Sequence, residues 1–345
     1  MSENQHNDLE TWQIELRDSF RKPADLLNFL KLEKIISLES GVSKSPFPLF
    51  VTRSFAERMK PSDPQDPLFL QVWPQKTEED NENPNFLKDP VGDLKAFAGP
   101  GLIQKYKGRA LYLPTALCAI HCRYCFRRHF PADKISSSRE LPDLTRHFLE
   151  AHPEIEEIIL SGGDPLMRND EQLRILFQDL AQFPHLKRIR IHSRLPLVLP
   201  ARITNSLMNV FKKFESHFQY VWVVHCNHPN EINPEVCHSI HRIRQAGHIL
   251  LNQSVLLRGI NDTSEILGEL SKKLFELGII PYYLHQLDRV QGAAHFEVSE
   301  NTGQKIITQL MESLPGYLVP RYVREDAGEK HKTPLQRKSS CQKTF

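Results

Sequence analysis

The apolar positions along this chain fall into two regimes. Up to about residue 100 they come in short helical bursts, of which ADLLNFLKLE is the clearest. Between the bursts lie PSDPQDP and EEDNENPNFLKDP, read as loops because proline removes a backbone donor and fixes φ. From Arg109 onward the pattern changes to short apolar runs at fairly regular intervals. These are RALYLPT at 109–115, EEIILSG at 156–162, KRIRIHS at 187–193, YVWVVHC at 220–226, HILLNQSVLL at 248–257 and IIPYYLH at 279–285. Runs of this length predict strands. Amphipathic stretches separate them, among them EQLRILFQDLAQF, NPEVCHSIHRIRQAG and SEILGELSKKLFELG. The last two end on Gly247 and Gly278, suited to the left-handed position that follows a helix. Asn261-Asp262 is read as the N-cap of the third.

Strands alternating with helices predict an α/β fold: a parallel sheet with right-handed crossovers. Six such units are too few for a closed eight-stranded barrel, so the expected architecture is a partial (β/α)6 barrel. The expected organisation is a mainly helical region over 1–100, the barrel over 101–315 and a short C-terminal segment over 316–345. Ligands of such sheets bind at the C-terminal ends of the strands, and that is where the chemistry-bearing residues fall.

Composition narrows the function classes. With 40% hydrophobic residues the chain can bury a sizeable core. Forty-four basic and 42 acidic residues leave a net charge of +2, which gives no electrostatic footprint for nucleic acid. No apolar run approaches the roughly 20 residues of a membrane span. The polar start lacks an apolar signal segment, so a cytoplasmic protein is expected. Three of the six cysteines fall within eight positions, and in a reducing compartment clustered thiols point to metal rather than disulfides.

That cluster, Cys118-Ala-Ile-His-Cys122-Arg-Tyr-Cys125, follows the first predicted strand of the barrel. Its C-x3-C-x2-C spacing can place three thiolates on one cubane, leaving the fourth iron open. The rival is structural zinc, with His121 or His129 as a fourth ligand. His225, Cys226, His228, Cys237, His238 and His241 lack tight ligand spacing and are read as ordinary strand-end and helix-face residues, and Cys341 as dispersed. At the end of the second strand, Ser161-Gly162-Gly163-Asp164-Pro165 combines two glycines that let a backbone pass close to a ligand and expose its amide and carbonyl groups. Lys332-Thr333-Pro334 lies beyond the last strand.

The cysteine spacing is the signature of the radical S-adenosylmethionine superfamily, and the chain resembles that superfamily over 109–335. The stretches CRYCFRRHFP, SGGDPL, HSRLPLVLPARIT, NHPNE, NQSVLLRGIND, PYYLH and KTP resemble the lysine 2,3-aminomutase family in order and spacing. The resemblance implies a [4Fe–4S] cluster on Cys118, Cys122 and Cys125, with S-adenosylmethionine on the open iron. It places Tyr124 near the adenine and Ser161, Gly162, Gly163 and Asp164 near the cosubstrate's amino group. His225 and Gln253 become further cosubstrate contacts. It makes Lys332 the Schiff-base lysine for pyridoxal 5′-phosphate, with Lys330 the local rival, and assigns the phosphate to Arg109. For substrate it assigns the carboxylate to Arg127 and the ε-ammonium to Asp288 and Glu325, with Asp326 next to the latter. The implied reaction is a radical 1,2-amino shift on L-lysine.

Two departures from the free-standing enzymes stand out. The stretch before the pyridoxal lysine, Gly328-Glu-Lys-His-Lys332, is not glycine-rich, and the sequence given ends 13 residues later. The short tail, CRYCFRRHFP and PYYLHQLDRVQGAAHF resemble the branch of the family that converts L-α-lysine to (R)-β-lysine, which a synthetase-like ligase attaches to elongation factor P. An electron donor such as flavodoxin is implied too. The alternatives are a free-standing metabolic aminomutase, another radical enzyme on the same barrel, or a non-catalytic iron–sulfur or zinc protein.

Overall fold

The computed structural model describes residues 10–37, 47–79, 83–136 and 138–336. One ten-stranded sheet organises it, its strands hydrogen-bonded in sequence order. β3 (Arg109–Thr115), β4 (Glu157–Gly162), β5 (Arg188–Ser193), β6 (Gln219–Val224), β7 (Ile249–Val255) and β8 (Ile280–His285) are the six expected strands, all parallel. Each crossover therefore steps one strand in the same direction, and the sheet curls into an open barrel.

The pattern missed four strands. β1 (Phe97–Gly99) and β2 (Leu102–Tyr106) extend the sheet antiparallel from β3. β9 (Arg321–Arg324) adds a seventh parallel strand and β10 (Thr333–Pro334) returns against it. β1 is only three residues long and the other three are short and partly polar, so none has the apolar run that marks a buried strand. Their consequence is positional: β9 and β10 bring Glu325 and Lys332 to the barrel.

The two faces of the sheet have different jobs. Along β5 burial alternates residue by residue, with Ile189, Ile191 and Ser193 deepest. The two isoleucines join the main core, whereas Arg190 and His192 on the opposite face line the interior cavity. The polar half of RIRIHS therefore faces a site rather than bulk water.

The crossover helices Asp170–Leu180, Pro234–Gln245 and Ser264–Glu276 confirm the three amphipathic readings. Gly247 and Gly278 sit at φ 75° and 77°, one residue past their helices' C-caps. The third helix is capped by Thr263, not by Asn261-Asp262. Asn261 is buried and already committed: it accepts from Leu257 N at 2.8 Å and donates to the carbonyls of Asn227 and Val255 at 3.0 and 2.9 Å.

The described part of the first hundred residues holds short helices, Thr11–Arg17 and Pro23–Phe29 among them. Leu26, Leu27, Phe55 and Phe69 share one core with Ile191 and Trp222 of the barrel. Arg58 also ties the region down, donating to the carbonyls of Leu197 and Glu231. None of the described helices is long and apolar enough to cross a membrane.

Candidate active site

The loop after β3 carries the three cysteines and is clamped from several sides. His121 N donates to Phe50 O and Arg123 N to Gln71 O, each at 2.9 Å. The Arg123 side chain is fully buried in an ion pair with Glu78, which also accepts from Arg128. From β4, Gly163 N donates to Thr115 O at 2.8 Å and Asp164 N to Leu117 O at 2.7 Å. A Cβ on Gly163 would lie 2.2 Å from Leu117 O, and Gly162 sits at φ +108°. What the two glycines allow to pass so closely is the cysteine loop itself.

Cys122 and Cys125 face a cavity of about 370 Å³ enclosed by the barrel, while Cys118, half-buried as they are, lies in the same loop but does not line the cavity. Arg194 Nη1 points at Cys122 Sγ at 2.7 Å, a donor that a thiolate would accept. The two histidines that could have completed a zinc site are engaged elsewhere. His121 Nδ1 lies 2.8 Å from Pro48 O, and His129 Nε2 lies 3.1 Å from Gln291 O. Among the described residues no three His, Cys, Asp or Glu side chains converge on one metal-ion position; three thiolates on a cubane each take a different iron. The later Cys/His group is likewise dispersed, with His238 Nδ1 against Pro234 O of its own helix. Cys341 lies outside the described residues.

Most residues singled out from the sequence meet in this cavity. Arg109, Tyr124, Arg127, Ser161, His225, Gln253, Asp288, Glu325 and Lys332 all line it. Asp164 does not. It is buried, accepting from Ser193 Oγ and from the backbone N–H groups of Leu166, Arg194 and Leu195, so it holds the strand ends together. Lys330 is exposed.

Tyr124 OH meets His225 Nε2 at 2.9 Å and accepts from Asn227 Nδ2 at 2.7 Å and Arg194 Nη1 at 2.8 Å. Burial, with Arg194 nearby, pushes His225 down to about 3, so its imidazole is neutral. Arg109 stacks its guanidinium 4.5 Å over the Tyr106 ring.

The charged groups form a chain that the sequence did not reveal. Asp93, buried, binds Lys105 at 2.5 Å and Arg127 Nε at 2.8 Å. Burial alone would raise its carboxyl, but the two cations outweigh that and hold it below the usual range. Arg127 Nη1 donates to Ser161 Oγ at 3.0 Å. Glu325 accepts from Lys332, from Tyr106 OH at 2.9 Å and from Lys105 at 3.3 Å. Those cations override its burial and bring it down to about 2. Asp326 points away, accepting from Arg324 Nε at 2.7 Å and from Thr333 Oγ1.

Asp288 is the opposite case. It is half-buried, its Oδ1 is shielded from solvent with no hydrogen-bond partner, and burial of the carboxyl, reinforced by Glu325, pushes it up to about 7. His285, buried, and His192, half-buried, also have Nε2 shielded and unpartnered, and burial of the rings drives both well below the ordinary imidazole range. Both end predicted strands, KRIRIHS and PYYLH, so strand-end position was a signal that could have found them. Asp93, in a loop with no motif of its own, carried none.

Comparison with known proteins agrees with this geometry. The Radical SAM superfamily model matches residues 112–267. The L-lysine 2,3-aminomutase of Escherichia coli is 45% identical over 327 residues, 94% of each chain. That of Haemophilus influenzae is 43% identical over 324 residues, covering 94% of this chain and 95% of its own. The Clostridium subterminale enzyme is 35% identical over 332 residues, 95% of this chain and 78% of its own. With the cysteine loop, the cavity and these relatives in agreement, this chain belongs to the L-lysine 2,3-aminomutase family of radical S-adenosylmethionine isomerases.

Proposed function

We propose that the chain converts L-α-lysine to (R)-β-lysine with pyridoxal 5′-phosphate held on Lys332, and that the product serves the modification of elongation factor P. One observation carries the reading. Lys332, the candidate Schiff-base lysine, opens into the same cavity as Cys122 and Cys125, so two kinds of cofactor chemistry reach one substrate. Arg109 would bind the phosphate and Arg127 the substrate carboxylate. A guanidinium suits both tasks because it stays charged and binds oxyanions bidentately.

When bound, the cluster with S-adenosylmethionine supplies a radical that removes and returns a substrate hydrogen, and pyridoxal phosphate supplies the partner on which the nitrogen migrates. The chain's own residues do the positioning. Asp93 and Ser161 fix Arg127, and so fix where the substrate carboxylate lies. Glu325 and Asp288 meet the ε-ammonium at the other end, which favours a cationic side chain over a neutral or acidic one. Two anchors at fixed separation orient the carbon between them, and orientation is much of what a protein can add. Glu325 also holds the Lys332 ammonium, so it is the counter-ion available to that lysine when it is not bonded to cofactor.

Support for the elongation factor P role is the likeness of CRYCFRRHFP and PYYLHQLDRVQGAAHF to that branch. A reducing cytoplasm suits the thiolate ligands, and a flavodoxin-like donor suits the electron supply. A non-catalytic role leaves the Lys332–Glu325 pair and the open Oδ1 of Asp288 without a purpose. Anaerobic reconstitution with iron, sulfide, S-adenosylmethionine, pyridoxal phosphate, dithionite and L-lysine tests the reaction, with chiral amino-acid analysis as readout. (R)-β-lysine is expected; unchanged lysine from a cluster-loaded protein sinks the proposal. Adding the ligase and elongation factor P should then yield a mass gain on the factor, and reduced flavodoxin should replace dithionite.

A further inference from the structure

Arg194, immediately after β5, has its two terminal nitrogens committed to opposite kinds of partner. Nη1 donates to Cys122 Sγ at 2.7 Å and to Tyr124 OH at 2.8 Å. Nη2 donates to Gln71 Oε1 at 2.7 Å and to Glu231 Oε2 at 2.9 Å. Its side chain is 7% exposed and that of Glu231 is fully buried. The arginine is held at both ends, since its backbone N–H donates to Asp164 Oδ2 at 2.7 Å. Glu231 is fixed as firmly, accepting from the N–H groups of Asn227 and His228 and from Gln71 Nε2. This is a rigid, dry plus–minus pair whose positive end touches one sulfur of the cysteine loop.

We propose that Arg194 is a positioning residue that raises the reduction potential of the cluster through Cys122, and that Glu231 tempers the effect by neutralising part of its charge. The physical reason is direct. Reduction adds one negative charge, spread over irons and sulfurs. A cationic N–H donor on a ligating sulfur stabilises the reduced form more than the oxidised one. Low polarisability around the pair keeps solvent from screening the interaction. The inference rests on the cluster assignment above. If Cys122→Ala retains its iron, that assignment fails and the proposal falls with it.

Redox titration of the reconstituted holoenzyme, followed by the paramagnetic signal of the reduced cluster without S-adenosylmethionine, reads the effect. Arg194→Gln should shift the midpoint potential negative. Arg194→Lys, which keeps the charge but loses the fork, should shift it less. Glu231→Gln should shift it positive, because the guanidinium is then uncompensated. A purely structural role could lower iron content in all three, yet it has no means of producing shifts of opposite sign. Equal potentials in wild type and Arg194→Gln overturn the proposal. Where Arg194→Gln fails to hold a cluster, Glu231→Gln decides alone: a potential that stays put or moves negative overturns it.

Discussion

Glu325 and Asp288 line the same cavity and carry the same functional group, yet the fold treats them oppositely. Glu325 is saturated, with Lys332, Lys105 and Tyr106 all directed at it, and its carboxyl is brought down to about 2. Asp288 has an oxygen with no partner and is pushed up to about 7. The difference separates an acid already paired in the resting protein from one with an oxygen left open. A shielded carboxyl oxygen without a partner is costly, and a ligand that donates to it would relieve that cost. An incoming ε-ammonium would complete Asp288, while at Glu325 it must compete with Lys332.

The largest expected effect comes from Glu325→Gln. It leaves Lys332 and Lys105 facing an uncharged amide in a mostly buried setting, a change that costs about 3–5 kcal/mol when one partner of a buried pair is removed. Chemical unfolding of the cofactor-free protein should show that loss, and lysine turnover should collapse with it. The wild-type stability due to this pair is fully present above the ordinary glutamate range and disappears as pH falls toward about 2. A variant as stable as wild type would mean that the cations find other partners.

Asp288→Asn should separate the two acids. Loss of a carboxylate that compensates a buried ammonium costs turnover about a hundred- to several-thousand-fold, by the same 3–5 kcal/mol. Stability should move the other way. Because the folded pKa lies above the ordinary 3.8, the folded state holds its proton longer, and wild-type stability falls as pH rises from about 4 to about 7. Asparagine is neutral throughout. The variant should therefore match wild type near pH 4 and exceed it at pH 8, as thermal unfolding at the two values would show. A less stable variant at pH 8 would mean that the carboxylate has a partner in solution.

These two acids also mark how far the sequence could be read. The six apolar runs became strands because a parallel strand covered by helices must be continuously apolar on its packed side, a local property. The cysteine spacing was legible for a similar reason: one loop supplies all three thiols. The ion-pair chain from Asp93 through Lys105 to Glu325 is assembled from a loop, β2 and the end of β9, three segments with no shared pattern. β9 and β10 were invisible because four and two residues cannot establish a period. Arg194 lies inside a stretch that resembles the family, HSRLPLVLPARIT, but only the fold shows that it reaches Cys122.

Lys332→Ala should have a smaller effect on folding than Glu325→Gln, since Glu325 keeps Lys105 and Tyr106. It should abolish the visible absorbance of bound pyridoxal phosphate while sparing that of the cluster. Lys330→Ala, at an exposed position, should retain both. Retention of the pyridoxal absorbance in the Lys332 variant would move the cofactor's attachment elsewhere.

Asp326→Asn is expected to do least, and it guards the register of the whole comparison. Asp326 stands next to Glu325, so a shift of one residue in β9 would exchange their roles. In the structure its oxygens are occupied by Arg324 Nε and Thr333 Oγ1, and its side chain is 33% exposed against 12% for Glu325. An ion pair at that exposure is screened by solvent and contributes about 0–1 kcal/mol. Asp326→Asn should therefore cost no more than that in unfolding experiments and leave lysine turnover near wild type, while Glu325→Gln abolishes it. The reverse result, with turnover lost only in the Asp326 variant, would show that β9 enters the barrel one residue out of step. The saturated acid of the cavity would then be Asp326.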